Sequence, residues 1–210
     1  MTPAKASALE QIIQQLIADH DQVKNLFRDY QRLIDTEAPD AQREAVAAQI
    51  CNALTVHAAL EEEIFYPAAR EVLPEDQEAL IDHADIEHGS LKNLITAIEV
   101  SRADDGHYDA RVHVLQEYVE HHVREEESDM FSELRQSTAG HDFAPVLQQL
   151  SQRRTELQQQ LGETAALQKP KKRATAVIEA RTPARRPRQS TASARRQVTQ
   201  KGSGKKAKAT

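Results

Sequence analysis

The sequence predicts an all-α protein: an antiparallel four-helix bundle with an internal two-fold repeat, followed by an additional helix and a disordered basic tail. Three observations support this fold class. Apolar residues recur at steps of three and four along four long segments that are joined by short connections. A histidine and a glutamate four residues apart occur twice within these apolar stripes. Finally, the C-terminal residues are strongly basic, whereas the rest of the chain is acidic.

The first helix is predicted to begin at a capping box formed by Ser7 and Glu10 and to continue to about residue 36. Its apolar positions keep helical spacing. They are Leu9, Ile12, Ile13, Leu16, Ile17, Val23, Phe27, Tyr30, Leu33 and Ile34. His20 fills a gap in this stripe, four residues after Leu16 and three before Val23.

The second helix is predicted from about residue 40 to residue 69. His57 and Glu61 are four residues apart, so they lie on one face of this helix. The same face carries Val46, Ile50, Leu54, Ile64 and Phe65. An unpaired glutamate would be very costly to bury in such a stripe, so Glu61 requires a partner.

The third and fourth helices repeat this arrangement. Pro74 marks the start of the third helix, which carries His88 within an apolar stripe. A loop at residues 101–106 leads to the fourth helix, predicted from about residue 107 to residue 137. His122 and Glu126 lie in that helix, again four residues apart. The surrounding apolar residues are Val112, Leu115, Val119 and Met130.

The bundle contains an internal duplication. Residues 20–27 match residues 88–95, sharing His, Lys, Asn and Leu in register. Each of these segments is followed by a helix with the His-x-x-x-Glu pair. The two units are therefore expected to be related by a pseudo-two-fold axis, with donor side chains from all four helices at the same height in the core.

Four imidazoles and two carboxylates suit two borderline metal ions, each held by two His nitrogens and bridged by both carboxylates. Iron is the first choice, followed by manganese and zinc. The predicted metal ligands are His20, His57, Glu61, His88, His122 and Glu126. A single buried His would more often be a hydrogen-bonded core residue. Six inward-facing donors, however, are hard to explain without metal.

The other histidines and acids near these positions receive different interpretations. His83 and His121 lie about 140° and 100° around their helices from the nearest predicted ligand, so we expect them at the flank of the site. The remaining histidines are expected at the surface: His107, His113 and His141. Four acids are interpreted as solvated or as supporting the ligands: Glu62, Glu63, Glu125 and Glu127.

The chain is predicted to consist of a metal-binding bundle at residues 1–140, an additional helix at residues 141–168 and a disordered tail at residues 169–210. The tail holds fourteen of the 27 Lys and Arg and one of the 33 acids, a net charge of +13, whereas residues 1–168 carry −19. The tail lacks the apolar residues needed to offset the entropy of ordering. Its charge suits non-specific contact with nucleic-acid phosphates. The alternative is a solvated tail that keeps the protein soluble or contacts the acidic bundle electrostatically.

Several classes of protein are excluded by composition. No apolar run approaches the length of a membrane span, and the N-terminus has no apolar segment typical of a signal peptide. The single cysteine, Cys51, rules out an intrachain disulfide framework and fits a reducing compartment. The expected location is therefore the cytoplasm.

The order His, His-x-x-x-Glu, His, His-x-x-x-Glu on four helices resembles the hemerythrin-like HHE cation-binding domain over about residues 8–138. The resemblance implies that the four histidines are terminal ligands. It also implies that the two glutamates bridge two irons, usually with an oxo or hydroxo bridge between the ions. The oxygen-carrying members instead have His-x-x-x-His on the third helix and His-x-x-x-x-Asp on the fourth. This ligand set looks closer to the di-iron proteins of iron–sulfur cluster repair and nitric oxide response.

The leading functional hypothesis is a non-haem di-iron protein that binds or reduces O2, peroxide or nitric oxide, in oxidative or nitrosative stress or in iron handling. One alternative is a binding module that senses iron or oxygen and controls a partner. Another is a metal-loaded bundle tethered to nucleic acid by its tail. The sequence leaves open the oxidant, the oligomeric state and whether the protein is an enzyme.

Overall fold

The structure, a computed structural model, describes residues 7–137 and 140–168. These residues form helices joined by short turns, and they contain no β-strand. The predicted all-α class is therefore confirmed. The α-helices are α1 (Ala8–Asp35), α2 (Asp40–Leu60), α3 (Tyr66–Arg70), α4 (Ala79–Glu99), α5 (Tyr108–Glu125), α6 (Phe131–Ser137) and α7 (Ala144–Gln168). The predicted disorder of the basic tail concerns residues outside this described part.

Two of the four long helices of the bundle are interrupted by a π-helical turn. The first π turn, Glu61–Phe65, joins α2 to α3, and the second, Glu126–Met130, joins α5 to α6. In each turn the backbone N–H five residues later donates to the carbonyl of the first residue. The glutamate of each His-x-x-x-Glu pair therefore occupies the first position of a π turn. Such turns occur frequently at functional sites.

The helix termini follow local sequence signals. Ser7 accepts a hydrogen bond from the Glu10 backbone N–H at 3.2 Å, as an N-cap does. The Glu10 carboxylate accepts from Arg135 at 3.0 Å, tying α1 to α6. Pro74 precedes a short 3₁₀ turn, Glu75–Gln77, so α4 begins a few residues later than the proline alone indicates.

The hydrophobic core consists of two clusters that lie towards opposite ends of the bundle. One includes Ile12, Phe65 and Phe131 and extends to α7. The other includes Phe27, Ile50 and residues of α4 and α5. Each fully buried Ile or Phe contributes roughly 1.5–3 kcal/mol to folding. The predicted ligands belong to neither cluster, because they occupy the polar layer of an otherwise apolar interior.

Helix α7 packs against α1, α2 and the first π turn. Its apolar contacts include Leu150, which is buried, and Leu157. Arg153 pairs with Glu63 at 2.7 Å, and Arg154 pairs with Asp19 at 2.7 Å. The predicted additional helix is therefore present, and it covers one repeat unit of the bundle. Within the described part of the chain, no helix combines the length and hydropathy needed to span a bilayer.

Candidate metal centre

The six predicted ligands converge in the middle of the bundle. His20 comes from α1, His57 from α2, His88 from α4 and His122 from α5, while the two glutamates open the π turns. All six side chains are buried, with relative exposures from 0% for Glu61 to 4% for His57. Helical periodicity thus brings four imidazoles and two carboxylates together from distant parts of the sequence.

The histidines form two pairs. The Nε2 atoms of His20 and His57 are 3.1 Å apart, and those of His88 and His122 are 3.2 Å apart. Two nitrogens that each lie about 2.1 Å from one ion, at roughly a right angle, would be separated by about 3 Å. Each pair therefore has the spacing of two ligands on a common cation.

The two carboxylates link the pairs. Glu61 Oε1 is 3.1 Å from His57 Nε2, while its Oε2 is 3.3 Å from His88 Nε2. Glu126 Oε2 lies 3.2 Å from His20 Nε2 and 4.0 Å from His122 Nε2. Both glutamates therefore lie between the two histidine pairs.

Most oxygens of these two carboxylates lack the hydrogen bonds that buried acids normally require. Among the described residues, Glu61 Oε1 and both oxygens of Glu126 are buried without a hydrogen-bond partner. The nearby histidine nitrogens approach closely, but not in hydrogen-bond geometry. Leaving three carboxylate oxygens unpaired in a dry interior would be costly. Imidazole nitrogens and carboxylate oxygens are suitable donors for borderline metals, so the residues present fit a metal ion.

The outward-facing nitrogen of each histidine contacts a further carboxylate. His20 Nδ1 lies 2.9 Å from Glu127, and His88 Nδ1 lies 2.9 Å from Glu62. The other two histidine contacts are His57 with Asp19 at 3.5 Å and His122 with Glu87 at 3.0 Å. A carboxylate at Nδ1 favours the tautomer that protonates this nitrogen, leaving the Nε2 lone pair free for a metal.

The repeated lysines complete this symmetric arrangement. Lys24 Nζ lies 3.3 Å from Glu127, and Lys92 Nζ lies 2.8 Å from Glu62. Each lysine is four residues after the histidine that the same glutamate contacts, so one face of the helix supplies both partners. The shared Lys of the sequence repeat therefore holds the carboxylates that orient His20 and His88.

Burial and neighbouring charges shift the pKa values of several groups in this cluster. Burial disfavours the charged form of His57, but Glu61 and Asp19 outweigh it and raise the pKa to about 10. Burial also acts to raise the pKa of Glu61, yet His57 and His88 hold it well below its usual value. The pKa of Glu126 is raised by burial and by the charge of Glu61. Without metal, the site therefore holds protons that a cation would displace.

An apolar pocket adjoins the histidine side of the centre. All four ligand histidines line it. The rest of the lining is mainly aliphatic and includes Val23, Leu54, Leu91, Ile95, Val119 and Val123. Asp19 and Lys92 contribute its polar edge. The space next to the four imidazoles is therefore bounded mostly by hydrocarbon.

Aromatic side chains close the opposite side. Tyr66 packs against His88 with ring centroids 5.6 Å apart, and its hydroxyl donates to Glu61 Oε2 at 3.4 Å. Phe131 lies parallel to the ring of His20 at 6.3 Å. Tyr66 follows Glu61 by five residues and Phe131 follows Glu126 by five, so the two aromatic residues are equivalent positions of the repeat. Of these two aromatic residues, only Tyr66 of the first unit carries a hydroxyl group.

The remaining sequence interpretations have mixed outcomes. The three histidines expected at the surface are exposed, as are His83 and His121 at the flank. Glu62 and Glu127 support the ligands, whereas Glu63 is exposed and pairs with α7. The supporting roles of Asp19 and Glu87 were not predicted. Both directly precede a ligand histidine, and this acid-before-His position was the signal available in the sequence.

A four-helix bundle that encloses paired histidines and linking carboxylates defines a class of cation-binding helical proteins. Comparison with known families agrees with the geometry. The Hemerythrin HHE cation binding domain matches residues 11–134, more than half of the chain. The protein therefore belongs to the hemerythrin HHE cation-binding domain family.

Two individual proteins show similarity to this chain. A DNA nickase from Nostoc sp. is 30% identical over 145 residues, which represent 69% of this chain and 39% of that protein. The present chain therefore spans about two-fifths of its relative's length. The crystal structure of a hemerythrin HHE cation-binding domain-containing protein from Mycobacterium kansasii covers 78% of this chain and 94% of its own. Its TM-score is 0.60 at 19% identity, which supports the fold.

Proposed function

We propose that the protein holds two iron ions at the six buried residues and that it binds or reduces a small oxidant: O2, peroxide or nitric oxide. The observation that carries this proposal is the set of two buried histidine pairs with two carboxylates between them, three of whose four oxygens have no hydrogen-bond partner among the described residues. We assign His20 and His57 to one ion and His88 and His122 to the other. Glu61 and Glu126 would provide carboxylate oxygens to both.

The donor set favours iron over its competitors. Zinc in structural sites prefers four tight ligands and often sulfur, whereas mixed imidazole and carboxylate donors also suit iron and manganese. Each proposed ion has two imidazoles and a share of two carboxylates, which leaves coordination positions for another ligand. Iron is therefore our first assignment, and manganese and zinc follow.

The surrounding residues have definable roles in such chemistry. Bound iron would supply electrons and an open position for the oxidant. The Nδ1 carboxylates hold the imidazoles in place, and the aliphatic lining of the pocket excludes water. Tyr66 donates to Glu61 and so fixes one bridging carboxylate. The pocket beside the four histidines is lined mainly by aliphatic side chains, so we propose a diatomic or similarly small ligand.

Metal analysis of anaerobically purified protein tests this proposal. We expect about two irons per chain and an optical spectrum that changes when O2, peroxide or nitric oxide is added. His88→Ala should lose metal, while His113→Ala, at an exposed position on the same bundle, should retain it. A wild-type protein without bound iron, or equal iron contents in the two variants, would refute the assignment.

A sensing role is the second candidate, because one ligand is connected to α7. Arg154 pairs with Asp19 at 2.7 Å, and Asp19 contacts His57 Nδ1 at 3.5 Å. A change at the metal could therefore alter how α7 docks. Metal-dependent protection of α7 from hydrogen exchange, without turnover of peroxide, would favour sensing. Peroxide turnover by the iron-loaded protein would favour the enzymatic role instead.

Nucleic-acid contact through residues 169–210 is a further part of the proposal. Their net charge of +13 and the similarity to a protein named as a DNA nickase motivate it. No aromatic residue follows Phe143, so the tail lacks side chains for base stacking. We expect the full-length protein to shift duplex DNA at low salt, and binding to weaken steeply as salt rises. A variant ending at Gln168 should not bind; equal binding by both would exclude the tail as the contact.

A further inference from the structure

A second group of metal-ligating side chains lies on the surface of the bundle. We define the outer cluster as Glu87 on α4 together with His121 and Glu125 on α5. His121 Nε2 lies 3.2 Å from Glu125 Oε1 and 3.4 Å from Glu87 Oε1. One ligand atom from each residue lies within 4.8 Å of the others, and His121 is 55% exposed. Solvent therefore reaches an imidazole and two carboxylates with the spacing of cation ligands.

The outer cluster is directly connected to the buried centre. Glu87 Oε1 faces His121, while its Oε2 accepts from Nδ1 of the buried His122 at 3.0 Å. Glu125 is the chain neighbour of Glu126, which opens the second π turn. Glu87 therefore contacts the proposed ligand His122, and Glu125 directly precedes the proposed ligand Glu126 in the chain.

A small pocket of mixed polar and apolar lining connects two members of the outer cluster, Glu87 and Glu125, with the buried centre. Glu87 and Glu125 line it, and so do His122 and Glu126. Glu126 is only 2% exposed, and neither of its carboxylate oxygens has a hydrogen-bond partner among the described residues. An unpaired carboxylate beneath an opening that is lined by other acids is a strong attractor for a cation.

The corresponding face of the first repeat unit lacks this set of metal-binding groups and packs against α7. The residues that precede its ligands are Asp19, Val56 and Leu60, in place of the three members of the outer cluster. Val56 and Leu60 are buried in the apolar cluster that packs against α7. Arg154 from the same helix covers Asp19. The duplicated fold therefore has one face that packs against α7, beside a pocket lined by Asp19, Val56 and Arg154, and one face that carries metal-binding groups.

We propose that the outer cluster is the metal-loading site of the protein: it captures a divalent cation from solvent and transfers it to His122 and Glu126. This inference rests on the proposed function, because it requires that the buried residues bind metal. Transfer needs only ligand exchange between imidazole and carboxylate groups, with no change in oxidation state. Acidic groups at the opening would raise the local concentration of cations and the rate of capture.

Loading kinetics provide the test. Full-length apoprotein is mixed with Co²⁺ under anaerobic conditions, and the visible absorbance of protein-bound cobalt is followed by stopped flow. In the double variant His121→Ala/Glu125→Gln, we expect loading to slow on the order of tenfold. The final amount of bound cobalt and its spectrum should equal those of the wild type, since the buried ligands are intact. Glu87 is left unchanged because it also holds His122.

The chain offers a matched control on the same helix. His113 and Glu117 form an exposed i,i+4 pair at 3.6 Å, two turns before His121 and Glu125. The double variant His113→Ala/Glu117→Gln removes the same groups and the same charge from α5. It should load cobalt at the wild-type rate. Higher salt should slow the wild type towards the rate of the outer-cluster variant, because screening weakens capture.

The outcomes separate the two proposals. Equal loading rates for the outer-cluster variant and its control, with normal cobalt content, would overturn the loading role and leave the proposed centre intact. A reduced final cobalt content in the outer-cluster variant would also overturn it, since the cluster would then belong to the equilibrium site. A wild-type protein that binds no cobalt and no iron would overturn the proposed function and the loading role together.

Discussion

The two repeat units present the same chemistry inwards and different surfaces outwards. Inside, each unit supplies two histidines, one linking glutamate, an acid at each Nδ1 and a lysine four residues after its first histidine. Outside, α7 covers the first unit, whereas the second leaves His121 exposed. Duplication therefore explains the ligand set, while the later part of the chain determines which side of the centre meets solvent.

Removal of a linking carboxylate should produce the largest effect and should be equally severe in both units. Glu61→Ala and Glu126→Ala each leave buried imidazoles without their anionic partner. We expect loss of most bound metal and destabilisation by roughly 3–5 kcal/mol. Glu63→Ala is the control, because Glu63 is exposed and should be close to wild type. Denaturant unfolding and metal analysis check this; a mild effect in only one unit would break the equivalence.

Acidity should weaken metal binding through the first unit in particular. His57 has a pKa raised to about 10 in the metal-free site, so it is protonated at neutral pH and must lose that proton when it binds metal. Below this pKa, the apparent affinity should fall about tenfold per pH unit for each proton displaced. Competition with a chelator between about pH 8 and pH 6 should therefore show a loss of at least roughly 100-fold. A pH-independent affinity would contradict a protonated His57.

Breaking the contact between α7 and the metal centre should weaken metal binding in one repeat unit only. Arg154→Ala releases Asp19, which contacts His57, and we expect metal affinity at one of the two positions to fall by roughly tenfold. Arg153→Ala is the matched control, because Arg153 is the neighbour of Arg154 on α7 but pairs with the exposed Glu63 instead of Asp19. Stepwise metal titration would reveal one weakened ion. Equal losses at both positions, or equal effects of the two variants, would show that α7 does not act through Asp19.

Substitution of the lysines should have the smallest effects on metal affinity, and the effects should be similar in the two repeat units. Lys24 and Lys92 each hold an acid that contacts a histidine, but both are partly exposed to solvent. Lys24→Gln and Lys92→Gln should each lower metal affinity by no more than about fivefold, the equivalent of roughly 1 kcal/mol. The same titration measures this. A large loss in only one variant would reveal an asymmetry inside the centre that the present contacts do not show.

Periodicity and spacing predicted the bundle and the buried position of all six donors, because a misplaced His or Glu would break an apolar stripe. The same signals could not predict Asp19 or Glu87 as histidine partners. Their contacts run between helices, and an acid beside a buried position usually faces solvent. The sequence also could not predict how α7 docks, because Arg153 and Arg154 lie among many Gln residues and either arginine could face the bundle. The π turns left no local signature, because His-x-x-x-Glu also fits a regular α-helix.

Those π turns also constrain how the protein could change during evolution. Each one contains an extra residue relative to an α-helical turn, and it separates the glutamate from the aromatic residue that closes the centre, Tyr66 in one unit and Phe131 in the other. Deleting a single residue from such a turn would restore a regular helix and leave the residues after it close to their present orientation, because five residues of a π turn and four residues of an α-helix each complete about one turn. The glutamate and the aromatic residue would both still face the core, but they would be four residues apart instead of five. A single-residue deletion within residues 61–65 or 126–130 should therefore change the spacing between these two groups, whereas a point substitution changes only one of them.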